Sequence, residues 1–314
     1  MRALFISIIF VFNSFAIDTL APTFFLKATG DVQDIVYEKD ILYGATSEGV
    51  VDIFDIKQKK QIDQIKIPDI KDFIGDSVPS KLYSVDKLND KLLIVSQGMK
   101  GYRNLWIYKN KNLEKKIDIS KKLFIKKARF INDNKIILAT LSNQIIYYDL
   151  SSQKKLYTVQ ISPSSFSDFT LNEDKTKIIT TDESGIVRIV DVNNGNIIKE
   201  FESKNLDRVY QLDYKNNIIL TAGQDRRMVI YKNNKSKYLD FDFLLYSCGL
   251  SPSGNLGAVA YNEENDILVV DTSSLDKLYK LTKNKATLTK ILFINENSLF
   301  STSDSEKINF YKLK

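Results

Sequence analysis

Short apolar clusters ending in Asp or Lys recur along the chain. They stand at 51–55 (VDIFD), 105–109 (LWIYK), 145–149 (IIYYD), 187–191 (VRIVD), 228–232 (MVIYK), 267–271 (ILVVD) and 308–312 (INFYK). Their terminal Asp or Lys positions lie 54, 40, 42, 41, 39 and 41 residues apart. A repeat of roughly 20–50 residues marks a solenoid, a propeller or an array. Before each cluster comes a second β-rich run, such as Ile41-Leu42-Tyr43, Leu92-Leu93-Ile94-Val95 or Ile218-Ile219-Leu220. Turn formers separate the two runs, as in Ser47-Glu48-Gly49 and Glu183-Ser184-Gly185. A third run lies upstream, for example Ile35-Val36-Tyr37 or Phe169-Thr170-Leu171. A fourth, more polar run lies downstream, as in Ile62-Asp63-Gln64-Ile65 and Leu156-Tyr157-Thr158-Val159. Its polar alternation suits an outer strand with one wet face.

Four strands in each of seven repeats predict an all-β fold, a seven-bladed β-propeller with four-stranded blades. Each unit runs from an inner strand a through b and c to an outer strand d. The seventh repeat reaches strand c and then Lys314, so its d position is vacant. A spare run, Thr23-Phe24-Phe25-Leu26-Lys27, is expected to fill it and so to pair two otherwise open edges. Residues 17–314 then form one domain.

Residues 1–16 read as a signal peptide. Met1-Arg2 is a positive start, 3–12 is an apolar run, and Ser14-Phe15-Ala16 is a small-x-small cleavage site before Ile17. An apolar run this short does not span a hydrocarbon core, which needs about 20 residues. The expected location is the periplasm, with no stable membrane anchor after cleavage. The chain carries 45 basic and 39 acidic side chains, a formal charge of +6, so cleavage at Ala16 removes Arg2 and leaves +5. That mild excess does not point to nucleic acid. The absence of His excludes Ser-His-Asp and Cys-His chemistry and His-ligated zinc or haem. A single cysteine, Cys248, excludes an internal disulfide and reads as a small buried hydrophobe. No metal-ligand spacing stands out, and no cofactor is expected.

The repeat resembles the WD40 family over nearly the whole of 17–314. The runs Ala222-Gly223-Gln224-Asp225-Arg226-Arg227-Met228-Val229-Ile230-Tyr231-Lys232 and Asp182-Glu183-Ser184-Gly185-Ile186-Val187-Arg188-Ile189-Val190-Asp191 echo the family's small-residue, Asp, Gly, Val-Arg-Ile-Trp-Asp signature. With one Trp, Trp106, and no His, the family's Asp-His-Ser-Trp network is not expected in any blade. Apolar stacking between sheets should hold the blades, with Tyr108, Tyr148, Tyr231 and Tyr311 in the Trp place. The resemblance implies a non-enzymatic, monomeric scaffold that binds a protein partner. An exported chain of this kind is also similar to the NapL family, accessory proteins of periplasmic nitrate reductase systems. That likeness implies a role in maturation of the reductase or electron delivery to it, without a cofactor of its own. Lactonase-like and quinoprotein-like propeller enzymes are the alternative. They would use the central channel, with Asp34, Asp86, Asp168 and Asp213 as the available carboxylates.

In such a fold the d–a and b–c loops share one rim, where WD40-like proteins usually bind. The long first spacing places two insertions there: 68–79, between two prolines, and the b–c loop 98–104. Phe73, Ile74, Met99 and Tyr102 are therefore candidate interface anchors, unless the loops fold back and bury them. Arg103, Arg129, Arg208, Arg226 and Arg227 map to the same rim. Arg grips carboxylates bidentately where Lys does not, so these five are candidate partner contacts. The neighbouring Lys121-Lys122 and Lys126-Lys127 read by default as a solvated charge run.

Overall fold

Seven sheets stand round a central axis in the computed structural model, which describes residues 17–202 and 204–314. The expected signal peptide, 1–16, lies outside the described residues. The blades cover 32–66, 82–117, 125–160, 166–201, 209–240, 248–281 and 288–312. Each runs a-b-c-d in antiparallel register from the axis outward. The fold is the expected seven-bladed propeller.

The b and c strands read as continuous apolar runs because both faces of each sheet are buried. Apolar clusters fill all seven seams between neighbouring blades. One of them joins Leu93, Leu105 and Ile117 of blade 2 to Phe130, Leu138 and Tyr148 of blade 3. The last seam closes the ring: Leu26, Phe300 and Ile308 pack on Val32, Leu42 and Phe54 of blade 1. Leu26 comes from the spare strand, Phe24–Lys27, which pairs antiparallel with the c strand of blade 7. Phe24 faces Phe310 with ring centroids 4.6 Å apart, and Leu26 faces Ile308.

A second N-terminal strand was not legible in the sequence. Asp18–Leu20 runs parallel to Lys277–Leu281, making blade 6 five-stranded. The N-terminal segment therefore ties the outer edges of blades 6 and 7 together.

The end of each c strand chooses the turn that follows. Asp55, Asp149, Asp191 and Asp271 accept backbone N–H groups two or three residues ahead and so cap longer c–d turns. Lys109 and Lys232 instead precede two-residue turns, Asn110-Lys111 and Asn233-Asn234, with positive φ at both positions.

Apolar stacking is not the whole of what holds the blades. In blade 5 Asn205 donates to the Tyr231 hydroxyl (2.9 Å) and accepts from Thr221 (2.8 Å). In blade 7 Asn284 accepts from Ser301 (2.6 Å) and Asn309 (3.1 Å) and lies 3.3 Å from the Tyr311 hydroxyl, which donates to the Thr282 carbonyl (2.7 Å). A d–a loop Asn and a c-strand Tyr thus build such a network without His or Trp, against the expectation that none forms. Burial pushes both phenols up to about 12, so both stay neutral, Tyr231 accepting from Asn205 and Tyr311 donating to Thr282. Trp106 stands elsewhere, donating to Ser96 (3.0 Å), which in turn bonds Ser80.

Candidate functional site

The inner strands do not alternate cleanly. In six blades the a–b register slips at the second residue of the inner strand, a β-bulge. The bulged residues are Gln33, Tyr83, Lys126, Ser167, Tyr210 and Thr289. A bulge re-aims side chains, so two consecutive residues can face the same way. All six line one cavity of about 300 Å³ at the mouth of the central channel, on the d–a/b–c rim. Their neighbours Asp34, Lys127, Asp168, Gln211 and Lys290 line it too.

The channel wall is stitched by carboxylates. An inner strand has an unpaired edge, and the next blade's inner-strand N–H groups point at it. Asp34 accepts from Val85 N (3.1 Å), Asp86 from Phe130 N (2.7 Å), Asp168 from Leu212 N (3.3 Å) and Asp213 from Leu250 N (2.9 Å). The four carboxylates considered as channel ligands are thus engaged in joining consecutive blades.

Charge is uneven along this wall. Burial alone would raise Asp34, but Arg129, Lys290 and Lys127 outweigh it and hold the carboxyl below its usual range. Asp86 goes the other way, because burial outweighs Arg129 and the Phe130 N–H. Lys127 pairs with Asp168 at 2.6 Å, yet desolvation brings its ammonium down to about 8. Lys126, also desolvated, is lowered as well. Of the pair read as a solvated charge run, Lys127 is largely buried in the channel wall, while Lys126 lines the same cavity with its side chain still exposed, for the reason the bulge supplies.

The predicted contact residues fall into distinct places. Phe73 and Ile74 do not fold back: they are 105 % and 86 % exposed at the tip of a hairpin formed by Ile70–Lys71 and Ser77–Val78. Asp72 fixes that tip by accepting from the N–H groups of Ile74, Gly75 and Asp76 at 2.8–2.9 Å. Met99 is exposed in the turn Met99–Gly101, and Tyr102 packs on Phe124 with ring centroids 4.8 Å apart. Phe124 in turn accepts from Leu141 N (2.9 Å). Met99, Tyr102, Phe124 and Leu141 thus sit on adjoining connections of blades 2 and 3, an apolar strip in which the Tyr102 and Phe124 rings touch. Phe124 and Leu141, with Ile119 and Leu206, were not singled out from the sequence. Their signal was available, since a large apolar residue on a polar loop has no core to enter.

The arginines divide. Arg129 is turned inward, bonded to Asp34 (3.0 Å), Ser84 (2.7 Å) and two carbonyls, so it clamps blades 1, 2 and 3 together and offers nothing to a partner. Arg103 lies over the Tyr83 ring at 4.1 Å and donates to the Gly101 carbonyl. Arg208 pairs with Glu183 (3.1 Å) at the channel mouth. Arg227 pairs with Asp240 (3.0 Å) beside Tyr238. Arg226 is exposed on its turn, without an ion-pair partner among the described residues.

No family model and no curated protein matches the chain. Solved structures do match in fold. The β-propeller domain of Cps50 (Swd1) from Myceliophteria thermophila superposes with a TM-score of 0.75 at 12 % identity, over 93 % of this chain and 99 % of that one. That likeness establishes the architecture, a β-propeller.

Proposed function

We propose that this chain is an exported, non-enzymatic scaffold that binds a protein partner on its d–a/b–c rim, over blades 2 and 3. One observation carries the reading. Among the described residues, the exposed large hydrophobics lie on d–a or b–c connections, or in and beside the outermost strands, and none lies on an a–b or c–d turn. Phe73 and Ile74 form an anchor whose turn is already fixed, which lowers the ordering cost of docking. The strip from Met99 to Leu141 supplies the surrounding apolar contact. Arg226 adds a free guanidinium for a partner carboxylate. The partner that fits has an apolar pocket for Phe73, and an acidic group only where it reaches round the rim to Arg226 on blade 5.

Export rests on residues 1–16, which favour the periplasm. The finer reading, an accessory of a periplasmic nitrate reductase system, makes a purified reductase of that type the first partner to try. The test compares the chain from Ile17 with its Phe73→Ser/Ile74→Ser variant in binding that reductase and in capturing periplasmic protein. The reading expects a defined partner held by the parent chain and lost, at least tenfold, by the variant. A partner retained equally by both would remove the rim from the account.

A further inference from the structure

The cavity at the channel mouth carries an unbalanced charge. Its lining includes Lys126, Lys127, Lys290 and Arg208 against two carboxylates, Asp34 and Asp168. Both carboxylates are occupied from within the wall. Asp34 receives Arg129 (3.0 Å), Val85 N (3.1 Å) and Ile35 N (3.1 Å). Asp168 receives Lys127 (2.6 Å), Phe169 N (2.9 Å) and Leu212 N (3.3 Å). Arg208 already has Glu183. Lys126 and Lys290 have no ion-pair partner among the described residues, although both line the same cavity from blades on different sides of the channel. Lys126 stands among other cations at the mouth, Arg208, Arg103 and Lys81, and Lys290 stands beside Lys127, so like charges repel within each group and the low-dielectric wall strengthens that repulsion. A bound anion relieves it.

We propose that the channel mouth is a binding site for a carboxylate-bearing anion, held between Lys126 and Lys290. Tyr83, Tyr210 and Tyr246 give the cavity aromatic walls, Tyr210 and Tyr246 being stacked at 5.1 Å. At about 300 Å³ the space takes one compact group, such as a small di- or tricarboxylate or a single acidic side chain. The site goes beyond the partner-binding rim and does not require it, because a free anion can occupy the cavity with the hairpin tip empty.

Citrate and succinate serve as probes of the free-anion source, and an N-acetylated, C-amidated tri-glutamate peptide probes the side-chain source. Binding is read by calorimetry and by the melting temperature of the intact chain, against sodium chloride at matched ionic strength. A ligand that binds only the folded state raises that temperature. The expected result is saturable binding of at least one probe, weakened tenfold or more in Lys126→Met/Lys290→Met. A second double variant, Lys154→Met/Lys155→Met on the outer strand of blade 3, removes the same charge far from the channel and should bind as the parent does. Whichever probe binds in this lysine-dependent way identifies the source. Equal loss in both double variants, or no response to any probe beyond that to chloride, overturns the site. Partner capture that survives Lys126→Met/Lys290→Met but fails in Phe73→Ser/Ile74→Ser separates this site from the rim.

Discussion

The two rims of this propeller are built from the same strands and differ in nearly everything else. On the a–b/c–d side, every connection is five residues or fewer, and several are two-residue turns. Lys39-Asp40, Asn110-Lys111, Asn216-Asn217 and Asn233-Asn234 take positive φ at both positions, as a two-residue type I′ hairpin requires. Such turns have no length to spare and expose no large hydrophobic side chain. The d–a/b–c side must carry the chain from each outer edge back to the axis. Those connections are longer, and the chain uses their length for a hairpin tip, an apolar strip and a charged cavity. The difference teaches that topology assigns the cost of connection to one rim, and that rim is where variation is free to become a surface.

The first way to test this contrast is to separate what holds the busy rim from what it presents. Arg129→Met leaves Asp34 buried without its partner, and removing one member of a buried pair costs about 3–5 kcal/mol. Urea unfolding should show that loss, whereas Arg226→Ala on the same rim should change stability by less than about 0.5 kcal/mol. Next comes the polar network beneath the rim. Asn284→Ala strands the Ser301 hydroxyl and leaves Asn309 only its longer bond to the Lys283 carbonyl and its contact with Tyr311, with an expected cost of about 1–3 kcal/mol in the same measurement.

The acid limb of stability distinguishes two depths of the channel wall. Asp34 has a depressed folded pKa, so its contribution is complete above the unfolded value of about 3.9 and fades as pH falls through the folded one. Asp86 has a raised folded pKa, so it costs stability once pH rises through that value. Melting curves against pH should therefore show Asp34→Asn losing most at neutral pH and little in strong acid. Asp86→Asn should gain relative to the parent as pH climbs from the acid side to neutrality. On the opposite rim, Asn217→Ala removes the acceptor of the Tyr214 hydroxyl (2.7 Å) and an Asn from a left-handed position, for about 1 kcal/mol. Smallest of all is the effect of Phe73→Ser/Ile74→Ser on folding, within about 0.5 kcal/mol, because both side chains are already in water.

The ring, its blade count and its closure were legible because burial on both faces forces apolar b and c strands, and these repeat. Phe24 beside Phe310 followed from counting strands against vacancies. The choice of Asp or Lys at the end of each c strand was visible too, but its meaning needed the turn geometry. Three features were hidden for stated reasons. Lys126 and Lys127 look solvated because a strand should turn neighbours to opposite faces, and only a bulge brings both to the channel. Asn205 and Asn284 sit in loops of unlike sequence, so nothing marks them as equivalents of a missing His. Asp18–Leu20 is three residues long, too short for periodicity to announce a strand.

Hydrogen exchange of the backbone amides, measured with and without a bound partner, tests the central claim most directly. The account predicts slowed exchange at 70–78, 98–102 and 119–124, with no change at 110–111, 216–217 and 233–234. Protection confined to those tight turns, with the hairpin and strip unaffected, would contradict it.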